Sequence, residues 1–125
     1  MDEKVIKAYE KSLELLKVAE LNFDNNFYSD SINRSYYAVF HAANALLLKK
    51  GIFPKTHSGT IRKFGLEYIT NDNFSKEIGK FFTNLEKDRE KADYDYSYEV
   101  TKNKAKKDLN NAKKFVKECE RFLYD

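Results

Sequence analysis

The 125-residue chain holds one cysteine, Cys119, one proline, Pro54, and four glycines. A single cysteine can close no internal disulfide, which points to a reducing compartment. With so few chain breakers, a sandwich or barrel of many short strands joined by tight turns is excluded. No apolar run approaches the roughly 20 residues that a membrane span needs. The longest, Ala45 to Leu48, is a fragment of a helix. The opening Met1-Asp2-Glu3-Lys4 carries no apolar signal core, so the expectation is a cytoplasmic protein with no membrane partner. There is no Gly-rich phosphate loop and no nucleophile elbow. Two histidines and one cysteine without ligand spacing make no zinc site. No cofactor or metal is therefore expected.

What the chain does have is charge and helical periodicity. Charged residues make up 34% of it, which suits amphipathic helices with wet outer faces. The length favours one domain, residues 1–125, able to bury a core without staples. Val5, Tyr9, Ser12, Leu16, Ala19 and Phe23 recur at three- and four-residue steps and predict a helix over about 2–25. Asn25-Asn26 is its stop. A second helix is predicted from Ser29 or Asp30, either of which can cap it, to Lys50, with Gly51 at the position after the cap. Ile32, Tyr36, Val39, Phe40, Ala43, Leu46 and Leu47 form its apolar side. Arg34, Tyr37, Ala38, His41, Ala45 and Leu48 form a second, semi-apolar side. A helix of this kind is covered twice, either at the centre of a bundle or at an oligomer interface. Thr56 caps a shorter helix over about 57–69, and another follows over about 74–92 with Ile78, Phe81, Phe82 and Leu85 inward. Residues 93–100 alternate polar and aromatic types and are read as a loop whose tyrosines lie against the bundle. The last helix, about 101–123, carries Ala105, Leu109, Ala112, Val116, Cys119 and Leu123 at a coiled-coil-like spacing. The fold class is all-α, an up-and-down bundle of about five helices.

The net charge of +3 is unevenly spread. Residues 1–50 hold seven basic and seven acidic side chains, whereas 101–125 hold eight and four. A basic face there attracts phosphates, or is simply a solvated Lys-rich surface.

Three stretches are distinctive: Asn33-Arg-Ser-Tyr-Tyr-Ala-Val-Phe-His-Ala-Ala-Asn, Pro54-Lys-Thr-His-Ser-Gly and Arg89-Glu-Lys-Ala-Asp-Tyr. Through them the chain resembles the HEPN family over nearly its whole length, most closely the small prokaryotic members that consist of the domain alone. The resemblance implies a helical bundle that pairs as a homodimer. It implies an RNA- or nucleotide-related role, in many members metal-independent RNA cleavage by an arginine and a histidine with four to six residues between them. It also implies toxin-like members with a nucleotidyltransferase-type partner protein, and others that bind RNA or nucleotide without cutting.

Such chemistry needs no metal when the 2′-hydroxyl of RNA is the nucleophile. A histidine moves protons near neutral pH, and an arginine holds the phosphate. Arg34 and His41 fit the family spacing and fall on nearly one helix face with Tyr37 between them. They lie about 10 Å apart along the axis, so one phosphate bridges them only with help from a second subunit. They are the candidate catalytic set, or else a helix–helix salt bridge and an interface histidine. Arg89, Asp93 and Tyr94 form the second candidate, an RNA- or nucleotide-binding corner in which Asp93 occupies the histidine position. Aspartate is a poor proton donor at neutral pH unless its pKa is strongly raised. Alternatively Arg89 and Asp93 are a surface ion pair. His57, at a helix start beside the hydroxyls of Thr56, Ser58 and Thr60, belongs either to an anion site or to a simple cap.

Overall fold

The computed structural model describes residues 1–124. Five helices, α1 (Glu3–Asp24), α2 (Tyr28–Lys49), α3 (His57–Phe64), α4 (Lys76–Tyr94) and α5 (Lys102–Tyr124), build an all-α bundle. A π-helical segment, Gly65–Thr70, continues α3. The described residues include no strand.

The helix ends follow local chemistry. Asp2 accepts from Lys4 N at 2.7 Å and caps α1. Asn26, at φ 67°, closes the other end: its N–H donates to Phe23 O, and that of Phe27 to Asn22 O. This six-to-one and five-to-two pattern recurs after α2. There Gly51, at φ 75°, donates to Leu48 O and Ile52 donates to Leu47 O. Glycine suits that position because it carries no Cβ to clash in the left-handed region. The α1 closure leaves so little linker that α2 starts at Tyr28 without a side-chain cap, ahead of the Ser29 or Asp30 expected. Thr56 and Ser75 cap α3 and α4 by accepting from Gly59 N and Ile78 N.

The two-faced α2 is central, touching α1, α3, α4 and α5. Small side chains let α1 and α2 close tightly: Ser12, Ala19, Ser31, Ala38 and Ala45 are all fully buried. Hydroxyls stitch the pair together, Ser12 Oγ to Ala38 O at 2.6 Å and Ser31 Oγ to Ala19 O at 2.8 Å. Each such bond contributes roughly 1 kcal/mol net. Leu15, not the Leu16 of the predicted stripe, is the buried leucine here, with Leu16 partly buried against the same core.

The other half of the core is aromatic. Phe64, Phe74, Phe82 and Phe115 meet at 4.9 to 6.1 Å between ring centres. The predicted seam of α5 is buried at all six positions, together with Phe115 and Asp108, which the spacing did not include. Lys49 Nζ donates to Phe122 O and Leu123 O and so satisfies carbonyls at the end of α5.

The third helix runs over 57–70, close to its predicted span, but widens to π geometry after Phe64, and the buried Tyr68 donates its hydroxyl to Leu46 O. The fourth helix runs two residues past Ala92, so Asp93 and Tyr94 are helical. Ser29 Oγ donating to Ala92 O at 3.2 Å and Asn33 Nδ2 donating to Asp93 Oδ2 at 3.0 Å hold that last turn. In consequence the loop tyrosines mostly do not lie on the bundle. Tyr94 and Tyr96 are 74% and 101% exposed, and only Tyr98 packs back, under the ammonium groups of Lys104 and Lys91.

Candidate functional site

The site grows from the C-terminal half of α4. Glu86, Arg89, Glu90 and Asp93 stand three or four residues apart and so share one helix face. Arg89 is the centre and is only 6% exposed. Its Nη2 donates to Glu86 Oε1 at 2.8 Å. Asp93 Oδ2 stands 3.7 Å from Nη1 and Glu90 Oε1 stands 3.9 Å from Nη2. Those two are charge contacts, too long for hydrogen bonds. The guanidinium lies over Tyr36 at 4.9 Å and near Tyr37 at 5.8 Å from the ring centres. Two aromatic faces on α2 thus hold it in place through cation–π attraction.

Its donors are under-used. A guanidinium has five N–H groups. Among the described residues Arg89 spends them on one hydrogen bond, and its Nε is buried without a partner. Arg89 forms the floor of a shallow cleft of about 390 Å³ whose walls are Thr56, His57, Ser58 and Ile61 on one side and Glu86 and Glu90 on the other. It also lines an adjoining cleft with Lys87, Lys91 and Tyr94.

His57 is placed by ring packing. Its imidazole lies 4.7 Å from Phe40 and 5.8 Å from both Tyr36 and Tyr37, centre to centre. Electrostatics couple the walls. Burial alone would raise the Glu86 carboxyl, but contacts with Glu90, Tyr36 and Arg89 outweigh it and hold it below its ordinary value. Glu90 is pushed up by the Glu86 carboxyl beside it. Burial, then the neighbouring Glu86, drives the Tyr36 phenol far above its usual range. Neither the Tyr36 hydroxyl nor Glu86 Oε2 has a partner of good hydrogen-bond geometry, although the two groups are neighbours.

The sequence-predicted residues therefore divide. Arg89, Asp93, Tyr37 and His57 come together, and Tyr94 stands exposed at the edge of the adjoining cleft. Arg34 is on an exposed face of α2. His41 is half-buried against Phe40, and burial, then Lys11 and His57, lower its pKa. No hydrogen bond, ion pair or ring contact among the described residues joins Arg34 to His41. Sequence reasoning missed Tyr36, Glu86 and Glu90 as parts of the site. The three-and-four spacing of acids around Arg89 was the available signal. Among the described residues no group of three acidic, histidine or cysteine side chains is placed to hold a metal ion. Among them, too, no helix is long and apolar enough to cross a membrane.

An all-helical bundle with a stacked, buried arginine at one cleft defines the class. Comparison with known proteins names the family. The model of the HEPN domain matches residues 6–122, and the chain belongs to that family. A protein of Methanocaldococcus jannaschii, provisionally named a toxin, is 40% identical over 111 residues, covering 88% of this chain and 81% of its own. A second protein of that organism with the same provisional name is 34% identical, covering 97% and 80%. A UPF0332 protein of Thermotoga maritima is 32% identical, covering 98% and 94%.

Proposed function

We propose that this protein is a toxin-like HEPN module acting on single-stranded RNA, with the cleft over Arg89 receiving a backbone phosphate and cleavage proceeding without a metal. One observation carries the reading: a buried guanidinium, fixed by two tyrosine rings, with most of its donors unspent and a cleft above it. An arginine held this way offers its remaining N–H groups at little entropic cost, and bidentate contact suits a phosphate. The adjoining cleft adds Lys87, Lys91 and the exposed Tyr94 ring, a basic and aromatic pairing that suits an unpaired base. The toxin names of two relatives support the same direction. Pairing of two copies and a nucleotidyltransferase-type partner protein, both implied by the family resemblance, belong to the proposal. It moves the phosphate contact from Arg34 to Arg89.

A second reading is binding without cutting. Asp93 favours it, because its carboxylate is engaged by Asn33 and Arg89 and offers no imidazole. A labelled single-stranded RNA in EDTA separates the two. Binding should weaken as salt rises, and Arg89→Lys should weaken it about tenfold, since lysine keeps the charge but loses the planar fork. Product in EDTA supports cleavage, and tight binding without product supports the second reading. Binding indifferent to both salt and Arg89→Lys would refute the site.

A further inference from the structure

The cleft over Arg89 contains a histidine from another helix. His57 starts α3 and lies thirty-two residues before Arg89 in the chain, yet both line one cleft. We infer that His57 is the proton-transfer residue of the site, receiving the 2′-hydroxyl proton of an RNA strand whose phosphate is held on Arg89. The inference rests on the proposed Arg89 site and adds to it a residue and a step.

Three observations converge on it. First, the cleft's remaining side chains are poor substitutes. Thr56 and Ser58 are hydroxyls, and the Glu86–Glu90 pair is tied to Arg89 and to each other. Imidazole is the group in the cleft that both takes and returns a proton near neutral pH. Second, His57 is oriented before any ligand arrives. Phe40, Tyr36 and Tyr37 pack around its ring, and the two tyrosines are those that hold Arg89. One pair of aromatic rings therefore positions both groups, which is how a site keeps reacting parts in register. Third, the other histidine, His41, lies outside the cleft lining, half-buried beside Phe40.

The step balances without redox chemistry or a metal. The 2′-oxygen bonds to phosphorus and the bond from phosphorus to the 5′-oxygen breaks. His57 takes the 2′ proton and passes it to solvent, and the departing 5′-oxygen takes a proton from water. The products are a 2′,3′-cyclic phosphate and a 5′-hydroxyl end. Arg89 faces the phosphate oxygens, where charge builds up.

The test uses the whole protein with single-stranded RNA in EDTA, and a 2′-O-methyl copy of the same strand, which binds but has no nucleophile. His57→Ala and His57→Gln should each cut at least about a hundredfold more slowly while binding the 2′-O-methyl strand as wild type does. Free imidazole should restore part of the rate to His57→Ala, whose missing ring leaves a slot among Phe40, Tyr36 and Tyr37, and should not speed wild type. Those results would carry the inference, because a packing role alone is not rescued by imidazole. Wild-type cleavage rates in either variant would overturn it, as would lost binding or failed rescue. A wild-type protein that binds through Arg89 and does not cut overturns the His57 step and leaves the binding site standing. Binding unaffected by Arg89→Lys overturns the site itself.

Discussion

Replacing Asp108 with asparagine should stabilise the protein, and more so as pH rises. Asp108 sits on α5, 2% exposed, with its Oδ2 meeting no donor. Burial, and next the Asp88 carboxyl on α4, push its pKa from 3.8 up to about 8, against a smaller opposing pull from Lys107. Tyr98 of the 95–101 loop is the remaining titrating neighbour, raised by burial and by the same two carboxyls. The sign follows from proton counting. Below about pH 4 both folded and unfolded chains carry the proton, and the acid costs nothing. Between about 4 and 8 the unfolded chain ionises while the folded one keeps its proton. Each pH unit in that window removes ~1.4 kcal/mol. At neutral pH the loss is on the order of 4 kcal/mol as an upper figure. Set against a typical domain stability of ~5–15 kcal/mol, the effect is large. Asparagine is neutral at every pH and can donate to Asp88. Urea denaturation followed by circular dichroism at about pH 5, 6.5 and 8 should show wild type losing stability across the series. Asp108→Asn should stay nearly flat and lead by at least ~2 kcal/mol at the top of the range. Parallel curves for the two proteins would refute the buried-acid account.

Two further outcomes probe packing. A Cβ at Gly79 would stand 2.4 Å from Ile69 Cδ1. Gly79→Ala should thus cost ~1–3 kcal/mol of overpacking, offset in part by ~1 kcal/mol of helix propensity, and adding Ile69→Val, which removes that methyl, should recover stability in a double-mutant cycle; strict additivity would count against the contact. Cys119 is fully buried, and burial followed by Glu118 pushes its thiol up. A thiol reagent should modify it only at the unfolding rate or in denaturant, and rapid labelling of the native protein would contradict the burial.

Much of the bundle was legible in the sequence because helical periodicity is a local signal. The α5 seam, the two-sided α2 and the stops at Asn25-Asn26 and Gly51 depend on residues within one or two turns of each other. The local departures depended on distant partners. Asn33 reaching Asp93 lengthens α4, and Tyr68 reaching Leu46 accompanies the π-helical turn after α3, contacts that no window along the chain contains.

The site divides in the same way. The sequence by itself determined an all-helical fold, its family, and the residue types that can meet a phosphate. It also showed Arg89 and Asp93 one turn apart. Only the tertiary structure decided that Arg89 is buried on Tyr36 and Tyr37, that Glu86 takes its hydrogen bond, and that His57 from another helix lines the same cleft. The reason is physical. Periodicity says which face of a helix is apolar, but which charged group is taken out of water depends on which neighbouring helix covers that face.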